Sequence, residues 1–239
     1  MSSYFDEFAT GYWKYYLQLE NRMEETHKFV EYDETNFKTF SSTYLMLFQA
    51  VCSEIDVVGK EIAGYFNSAF VAEKDSKKTI NRWWYEIQDQ LPDISREILF
   101  AEKISVNPWS KFRTAKTISY RNSGTIEVVN YNPQKKTNGI IYSTPKWWSA
   151  YNKVKHQRLA SDVDGVINFK KANFQNLVNA FAALYLLEFE FMKKIGTVKE
   201  RIRYEGSVFF GMGDLQNHFI DSMFVNGETL EFGNSKMRE

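Results

Sequence analysis

The residues best suited to chemistry lie at 145–158, in the segment PKWWSAYNKVKHQR. If this segment is a helix, Asn152 and His156 are four residues apart and share one face. An imidazole exchanges protons near neutral pH, and an amide can orient that imidazole or a substrate hydroxyl. Asn152 and His156 are therefore the candidate catalytic residues.

Neighbouring side chains supply groups that bind phosphate. Tyr151, Lys155 and Arg158 follow each other at spacings of four and three and form an adjacent stripe, and Lys153 adds a further cation. Fixed cations hold phosphate and stabilise charge at phosphorus, which metal-free RNA cleavage needs beside an activated 2′-hydroxyl. The segment is therefore a candidate site for RNA or a nucleotide.

Other roles for the same residues remain open. Asn152 would form a hydrogen bond between helices, His156 would be a satisfied interface residue, and the cations would form a solvated helix face. Two acids of an earlier predicted helix, Glu54 and Asp56, are weaker candidates for a groove beside this segment, because acids on that helix usually face solvent.

Charge and cysteine content limit the kinds of site that we expect. The chain has 30 basic and 30 acidic side chains, so a polyanion site must be a local patch. One cysteine excludes a disulfide framework and a cysteine-based zinc site, and the three histidines lie far apart in sequence. We expect no metal and no cofactor.

The chain carries no pattern typical of a membrane or export segment. Its first residues include acids and tyrosines where a signal peptide has a basic head and an apolar core. The longest apolar run, 180–187, is much shorter than the roughly 20 residues that span a bilayer. We expect a cytoplasmic protein without membrane contact.

Apolar periodicity predicts two long helices, 3–30 and 40–66, that pack as an antiparallel hairpin. The first pattern places the following residues on one face: Phe5, Phe8, Tyr12, Tyr15, Leu19, Met23 and Val30. Tyr12, Leu19, Val51 and Val58 are expected in the core. A shorter helix is predicted from Thr79 to about residue 90, before Pro92.

Between 97 and 143 the pattern changes to short β-branched runs separated by turn residues, which predicts a small β-rich insertion. Its clearest feature is a hairpin of 117–121 and 125–131. Helix resumes at 145–158, and the strongly apolar segment 170–194 is expected to be the central buried helix. We expect one mainly α domain over 1–239, with 204–239 as a C-terminal extension containing a hairpin at 225–228.

The paired tryptophans and the motif Tyr-Asn-x-Val-Lys-His-x-Arg, followed by the Leu-Val-Asn-Ala-x-Ala-Ala-Leu helix, resemble a group of bacterial HEPN-like proteins. The likeness is greatest over 37–66 and 104–190, and within the first of these ranges residues 52–60 also resemble that group. It implies a HEPN-like helical bundle that forms a homodimer. It also implies a metal-independent endoribonuclease of a toxin–antitoxin or phage-defence system.

The HEPN catalytic signature is an arginine followed after four to six residues by a histidine, with a polar residue commonly after the arginine. Here His156 and Asn152 match the histidine and the polar residue. The arginine positions hold Ser149, Ala150 and Tyr151.

Three functions are therefore expected in order. The first is a HEPN-like protein that binds RNA or a nucleotide, with cleavage through His156. The second is a non-catalytic homodimeric module that binds a protein partner through an aromatic surface of Trp83, Trp84, Trp147 and Trp148. The third is a small-ligand pocket in which Trp147 or Trp148 stacks on a base. Since tandem tryptophans on a helix point about 100° apart, one of each pair is expected to be core and the other available.

Overall fold

The first helix contains a π-helical segment that the periodicity does not predict. A computed structural model describes residues 3–121, 126–201 and 203–210. The helix consists of α1 (Tyr4–Phe8), a π-helical segment (Ala9–Trp13) and α2 (Lys14–His27). The side chain of Ser3 caps it by accepting a hydrogen bond from the backbone N–H of Asp6.

The π-helical segment corrects the predicted face of this helix. Its i→i+5 hydrogen bonds add a residue to the turn, which rotates every later side chain relative to an unbroken α-helix. Trp13 and Tyr16 are therefore buried, whereas Tyr15 is 39% exposed and Tyr12 is only partly buried. The prediction that Tyr12 lies in the core was wrong, because Tyr12 only packs against the edge of the core. The prediction that Leu19 lies in the core is confirmed.

The second long helix, α3 (Ser42–Phe66), begins after the predicted start because Ser41 caps it and accepts a hydrogen bond from the N–H of Tyr44. Val51 and Val58 are fully buried, as predicted. The Tyr4 ring stacks on Tyr65 with ring centroids 5.2 Å apart, so the start of the first helix meets the end of α3. The two helices are therefore antiparallel.

A short helix, α4 (Ser68–Val71), leads to α5 (Ile80–Ile87), which ends before the predicted position near residue 90. Pro92 instead begins a 3₁₀ turn (Pro92–Ser95). The helix α5 packs on α3 through one face and on the β hairpin through the other. Both of its long faces are therefore covered.

The predicted β-rich insertion is present as two separate antiparallel pairs. The first joins β1 (Ile98–Phe100) to β2 (Ile104–Val106), and the second joins β3 (Thr114–Arg121) to β4 (Ile126–Pro133). In the longer pair, Ile118 lies opposite Val129. The hairpin predicted at this position is confirmed.

The central helix is α7 (Phe174–Ile195), which is preceded by a 3₁₀ turn (Asn168–Lys171) and begins where Asn173 accepts a hydrogen bond from the N–H of Asn176. It contacts α1, α2, α3 and the helix α6 (Lys146–His156), as well as β1 and β2. Its side chains are buried on nearly every face, which confirms the expected central helix. The buried apolar side chains form one continuous cluster around it.

All four tryptophans expected at a binding surface are buried. Trp83 and Trp84 are fully inaccessible, and Trp147 and Trp148 are nearly so. Trp84 stacks on Trp109 with ring centroids 4.4 Å apart. The prediction that one tryptophan of each pair is available for stacking or docking was wrong, because elements distant in sequence cover the second ring.

The described chain ends with α8 (Val198–Arg201) and residues 203–210, which return along the first helix. The indole N–H of Trp13 donates to the carbonyl of Glu205 at 2.8 Å. The predicted hairpin at 225–228 lies outside the described residues. None of the described helices is long and apolar enough to cross a membrane.

Candidate functional site

The candidate site is built on α6, which begins after Pro145 and ends at His156. The helix stops because the chain turns at Gln157, whose carbonyl accepts a hydrogen bond from the side-chain amide of buried Asn168 at 2.9 Å. Arg158 therefore lies beyond the helix. It does not continue the stripe of Tyr151 and Lys155 that the spacing predicts.

The buried face of α6 includes Tyr151, which corrects its predicted role in phosphate binding. Its ring packs edge-on against Phe48 and lies 5.2 Å from the Trp148 ring, between centroids. Burial raises the pKa of the Tyr151 phenol to about 12. The ring supports Lys155, whose Nζ lies 5.5 Å from its centroid.

The opposite face of α6 exposes Asn152, Lys153, Lys155 and His156 to solvent. Asn152 and His156 lie one turn apart on this face, as the spacing predicts. No described side chain forms a hydrogen bond or an ion pair with His156. Within the described part of a single chain, His156 therefore has no side-chain partner, and its interpretation as an interface residue stays a prediction.

A groove of about 320 Å³ separates α6 from α3 and from the segment that leads into α5. It is lined by Ser53, Asp56, Asp75, Lys78, Thr79, Ile80, Trp148, Tyr151, Asn152 and Lys155. The structure thus brings together three predicted site residues, Asn152, Lys155 and Asp56. His156 and Arg158 do not line the groove.

The acids of this groove are already paired. Asp56 forms an ion pair with Lys60 at 2.5 Å and accepts a hydrogen bond from the indole N–H of Trp83 at 3.2 Å. Asp75 pairs with Lys78 at 3.2 Å. Lys155 is therefore the lysine of the groove that has no described carboxylate partner.

Glu54 does not line the groove, so its predicted place there was wrong. It lies on another side of α3, half-buried, where its charge interacts with Glu188 of α7 and with Tyr12. Burial raises the pKa of Glu54, and burial followed by repulsion from Glu54 raises that of Glu188. The sequence does indicate that Glu188 is unusual, because it is an acid within the otherwise apolar run LLEFEF of the buried helix.

The stretch of sequence that contains α6 is locally basic, although the whole chain has no net charge. Residues 128–161 contain no aspartate or glutamate, but they contain six lysines and arginines: Lys135, Lys136, Lys146, Lys153, Lys155 and Arg158. The last three lie around the C-terminal end of α6, where they form no ion pair with a described residue. We call Asn152, Lys153, Lys155, His156 and Arg158 the α6 outer face.

Within the described ranges, no cluster of three or more histidine, cysteine, aspartate or glutamate side chains is arranged to hold a metal ion. The α6 outer face itself carries an amide, an imidazole and three fixed cations. No protein-family model, curated protein or solved structure matches the chain.

Proposed function

We propose that this chain is a HEPN-like RNA-binding protein that holds the phosphate backbone of a single strand on the α6 outer face. The observation that supports this proposal is the charge pattern: residues 128–161 have six fixed cations and no acid, in a chain of zero net charge. Unpaired cations neutralise phosphates and release counterions, which dominates the affinity of such complexes. Lys153, Lys155 and Arg158 are the proposed phosphate contacts.

The groove beside the outer face gives the proposed site a second part. Asn152 and Lys155 line both the outer face and the groove, so a strand on α6 can place one nucleotide between them. The amide of Asn152 offers a donor and an acceptor to a base edge or to a 2′-hydroxyl. The Trp148 ring is too buried to stack on that base.

Binding, rather than cleavage, is the activity that the geometry supports best. His156 is exposed and has no described side chain to orient it, and the positions that would supply the signature arginine hold other residues. For cleavage by the HEPN mechanism that the resemblance implies, a cation from elsewhere would have to replace the signature arginine at this histidine. A homodimer that pairs two α6 outer faces would supply this cation. We further propose that the protein acts in a defence or toxin system.

The test is binding of a fluorescent single-stranded RNA, followed by anisotropy at about 50 mM and about 200 mM salt. We expect the affinity to fall as salt rises, since phosphate contacts release counterions. Lys155→Ala and Arg158→Ala should each weaken binding by up to about fivefold, because one exposed ionic contact contributes about 0.2–1 kcal/mol. Each should also reduce the salt dependence.

Lys14→Ala is the matched control, because Lys14 is an exposed lysine on α2 that lies outside the outer face. Equal losses in Lys14→Ala and Lys155→Ala would show that binding is non-specific and would contradict the proposal. The same RNA, analysed by gel, reports cleavage. Cutting by the wild type that is lost in a folded His156→Ala variant would assign catalysis to His156.

A second function, a non-catalytic interaction module, is supported by a different observation. The loop after α6 exposes Leu159 by 86% and Val163 fully, and Val166 and Ile167 of the same loop are each 40% exposed. Exposed apolar patches, unlike single side chains, mark contact surfaces. Light scattering of the wild type and of Leu159→Asp would test it. A dimer that is lost in Leu159→Asp, together with no RNA binding, would favour the module over the RNA-binding protein.

A further inference from the structure

A second cavity, of about 370 Å³, lies at the other end of α6. It is enclosed by residues 107–112, by the N-terminal end of α6 and by the first turns of α7. Its polar walls include Asn107, Lys111, Ser143, Lys146, Asn176 and Asn179. We call it the amide pocket. None of its lining residues belongs to the α6 outer face.

The charge of the amide pocket is purely positive. Lys111 and Lys146 stand in its wall, and no aspartate or glutamate lines it. Neither lysine forms an ion pair with a described residue. The groove on the other side of α6 differs, because two of its lining residues are acids that are paired with lysines.

The start of α6 adds hydrogen-bond donors to the same wall. Pro145 precedes the helix and has no side-chain acceptor to cap it. No capping side chain therefore accepts a hydrogen bond from the N–H groups of the first turn. Ser143 and Thr144, just before the helix, also line the pocket and bring two hydroxyl groups. This wall therefore favours an anion, as phosphate groups do at helix N-termini.

The remaining walls present acceptors instead. The amide nitrogens of Asn176 and Asn179 already donate to the carbonyls of Lys171 and Gln175, at 2.8 and 2.9 Å. The side-chain oxygens of these two asparagines therefore remain as hydrogen-bond acceptors for a ligand. A ligand that satisfies such walls must donate hydrogen bonds as well as accept them.

We propose that the amide pocket binds a phosphate monoester carried on a hydroxyl-bearing group. The phosphate lies against Lys111, Lys146 and the first turn of α6, and the hydroxyls donate to Asn176 and Asn179. The volume is at the small end of ligand pockets in proteins, which suits a single sugar phosphate or nucleotide. The same chemistry occurs in a free small molecule and at the 5′-phosphorylated end of an RNA strand.

The first experiment is calorimetric titration of the whole chain with ribose 5-phosphate and with adenosine monophosphate. Ribose is the phosphate-free control. We expect both phosphate esters to bind and ribose to bind far more weakly. The double variant Lys111→Ala/Lys146→Ala should lose at least about tenfold in affinity, because charge-assisted hydrogen bonds are the strong ones. Both lysines are exposed, so the variant should keep the melting temperature of the wild type.

Lys14→Ala is the matched control, since Lys14 is an exposed lysine of α2 that lines neither the pocket nor the α6 outer face. It should bind the phosphate esters as the wild type does. Absence of binding by both esters at millimolar concentration would overturn the proposal. Binding that survives unchanged in the double lysine variant, or that ribose matches, would do the same.

The second experiment separates the two sources of the phosphate. RNA of one sequence is titrated with a 5′-phosphate and with a 5′-hydroxyl. Tighter binding of the 5′-phosphorylated strand, lost in the double lysine variant, assigns the pocket to an RNA end. Equal binding of both strands, with ribose 5-phosphate still bound, assigns it to a free small molecule. The proposed RNA face is tested independently by Lys155→Ala, which leaves the pocket intact.

Discussion

Glu188 is an acid in the centre of the molecule that has no compensating partner among the described residues. It is 0% exposed, and neither carboxylate oxygen receives a hydrogen bond from a described residue. The titratable groups that interact with it are the carboxylate of Glu54 of α3 and the phenol of Tyr12 of the first helix. Burial, followed by repulsion from Glu54, therefore raises the pKa of Glu188 well above its ordinary value.

The pH dependence of stability follows from this direction. When the folded pKa of an acid is raised, its contribution to stability is complete below the unfolded pKa and is lost as pH rises through the folded pKa. Glu188→Gln removes this loss, because glutamine does not ionise. We expect the variant to match the wild type in stability near pH 4.5, the ordinary pKa of a glutamate. Between that pH and the raised folded pKa of Glu188, the variant should gain stability relative to the wild type by up to about 1.4 kcal/mol per pH unit.

Denaturant titrations at about pH 5 and about pH 8 measure this difference. Glu190→Gln is the matched control, because Glu190 is buried on the same helix but forms ion pairs with Arg96 and Lys193. That variant should be less stable than the wild type. A Glu188→Gln variant whose stability relative to the wild type does not change with pH would contradict the raised pKa.

At the scale of the element, Gly59 sets the distance between α3 and α5. A Cβ atom at this position would lie 2.8 Å from three atoms of the Trp83 ring, which is fully buried. Gly59→Ala should therefore cost about 1–3 kcal/mol through overpacking. Gly11 is also helical, but a Cβ there would meet no atom within 4 Å.

Gly11→Ala is thus the matched control, and it should gain up to about 1 kcal/mol from the higher helix propensity of alanine. Unfolding in denaturant measures both changes. If the two alanine variants were stabilised alike, the close contact between Gly59 and Trp83 would be disproved.

The elements that the sequence predicts well are those with strong local patterns. The periodicity of α3 and α7 and the β-branched runs of β3 and β4 locate all four elements within a few residues. The π-helical segment at Ala9–Trp13 has no such pattern, because its hydrogen bonds depend on how the first helix packs against the rest of the molecule. The face of that helix could not be predicted for the same reason.

The candidate site was predicted in part. Residue types and spacing locate Asn152 and Lys155 on the exposed face of one helix, and Asp56 joins them in the groove. The end of α6 before Arg158 depends on Asn168, which caps the helix from a later turn. The amide pocket joins residues from three distant segments, so no local motif indicates it.

At the scale of the whole molecule, the last described residues hold the first helix against the central one. The carboxylate of Glu20 is buried and accepts hydrogen bonds from the hydroxyls of Tyr16 and Ser207. It also accepts the backbone N–H of Val208 at 2.9 Å and that of Phe209 at 3.4 Å. The Phe209 ring then packs into the core.

Phe209 and Phe210 connect two parts of the fold that are distant in sequence. The Phe209 ring lies 4.7 Å from Phe100 of β1, and the Phe210 ring stacks on Tyr185 of α7 at 4.9 Å, between centroids. The carbonyl of Phe209 also accepts the N–H of Ala101 at 2.8 Å. Glu20 therefore fixes a segment that joins α2, β1 and α7.

Glu20→Ala should destabilise the protein by about 3 kcal/mol or more, because two buried donors, the Tyr16 hydroxyl and the Phe209 N–H, and two partly buried ones lose their acceptor. Hydrogen bonds to charged groups contribute about 1.5–3 kcal/mol each. Glu24→Ala is the control, since Glu24 lies one turn further along α2 and is exposed, and it should change stability by less than about 0.5 kcal/mol. Hydrogen–deuterium exchange locates the effect. In Glu20→Ala the amides of 207–210 should lose protection first, while those of α7 stay protected. Full protection of 207–210 in that variant would show that the aromatic contacts alone hold the segment.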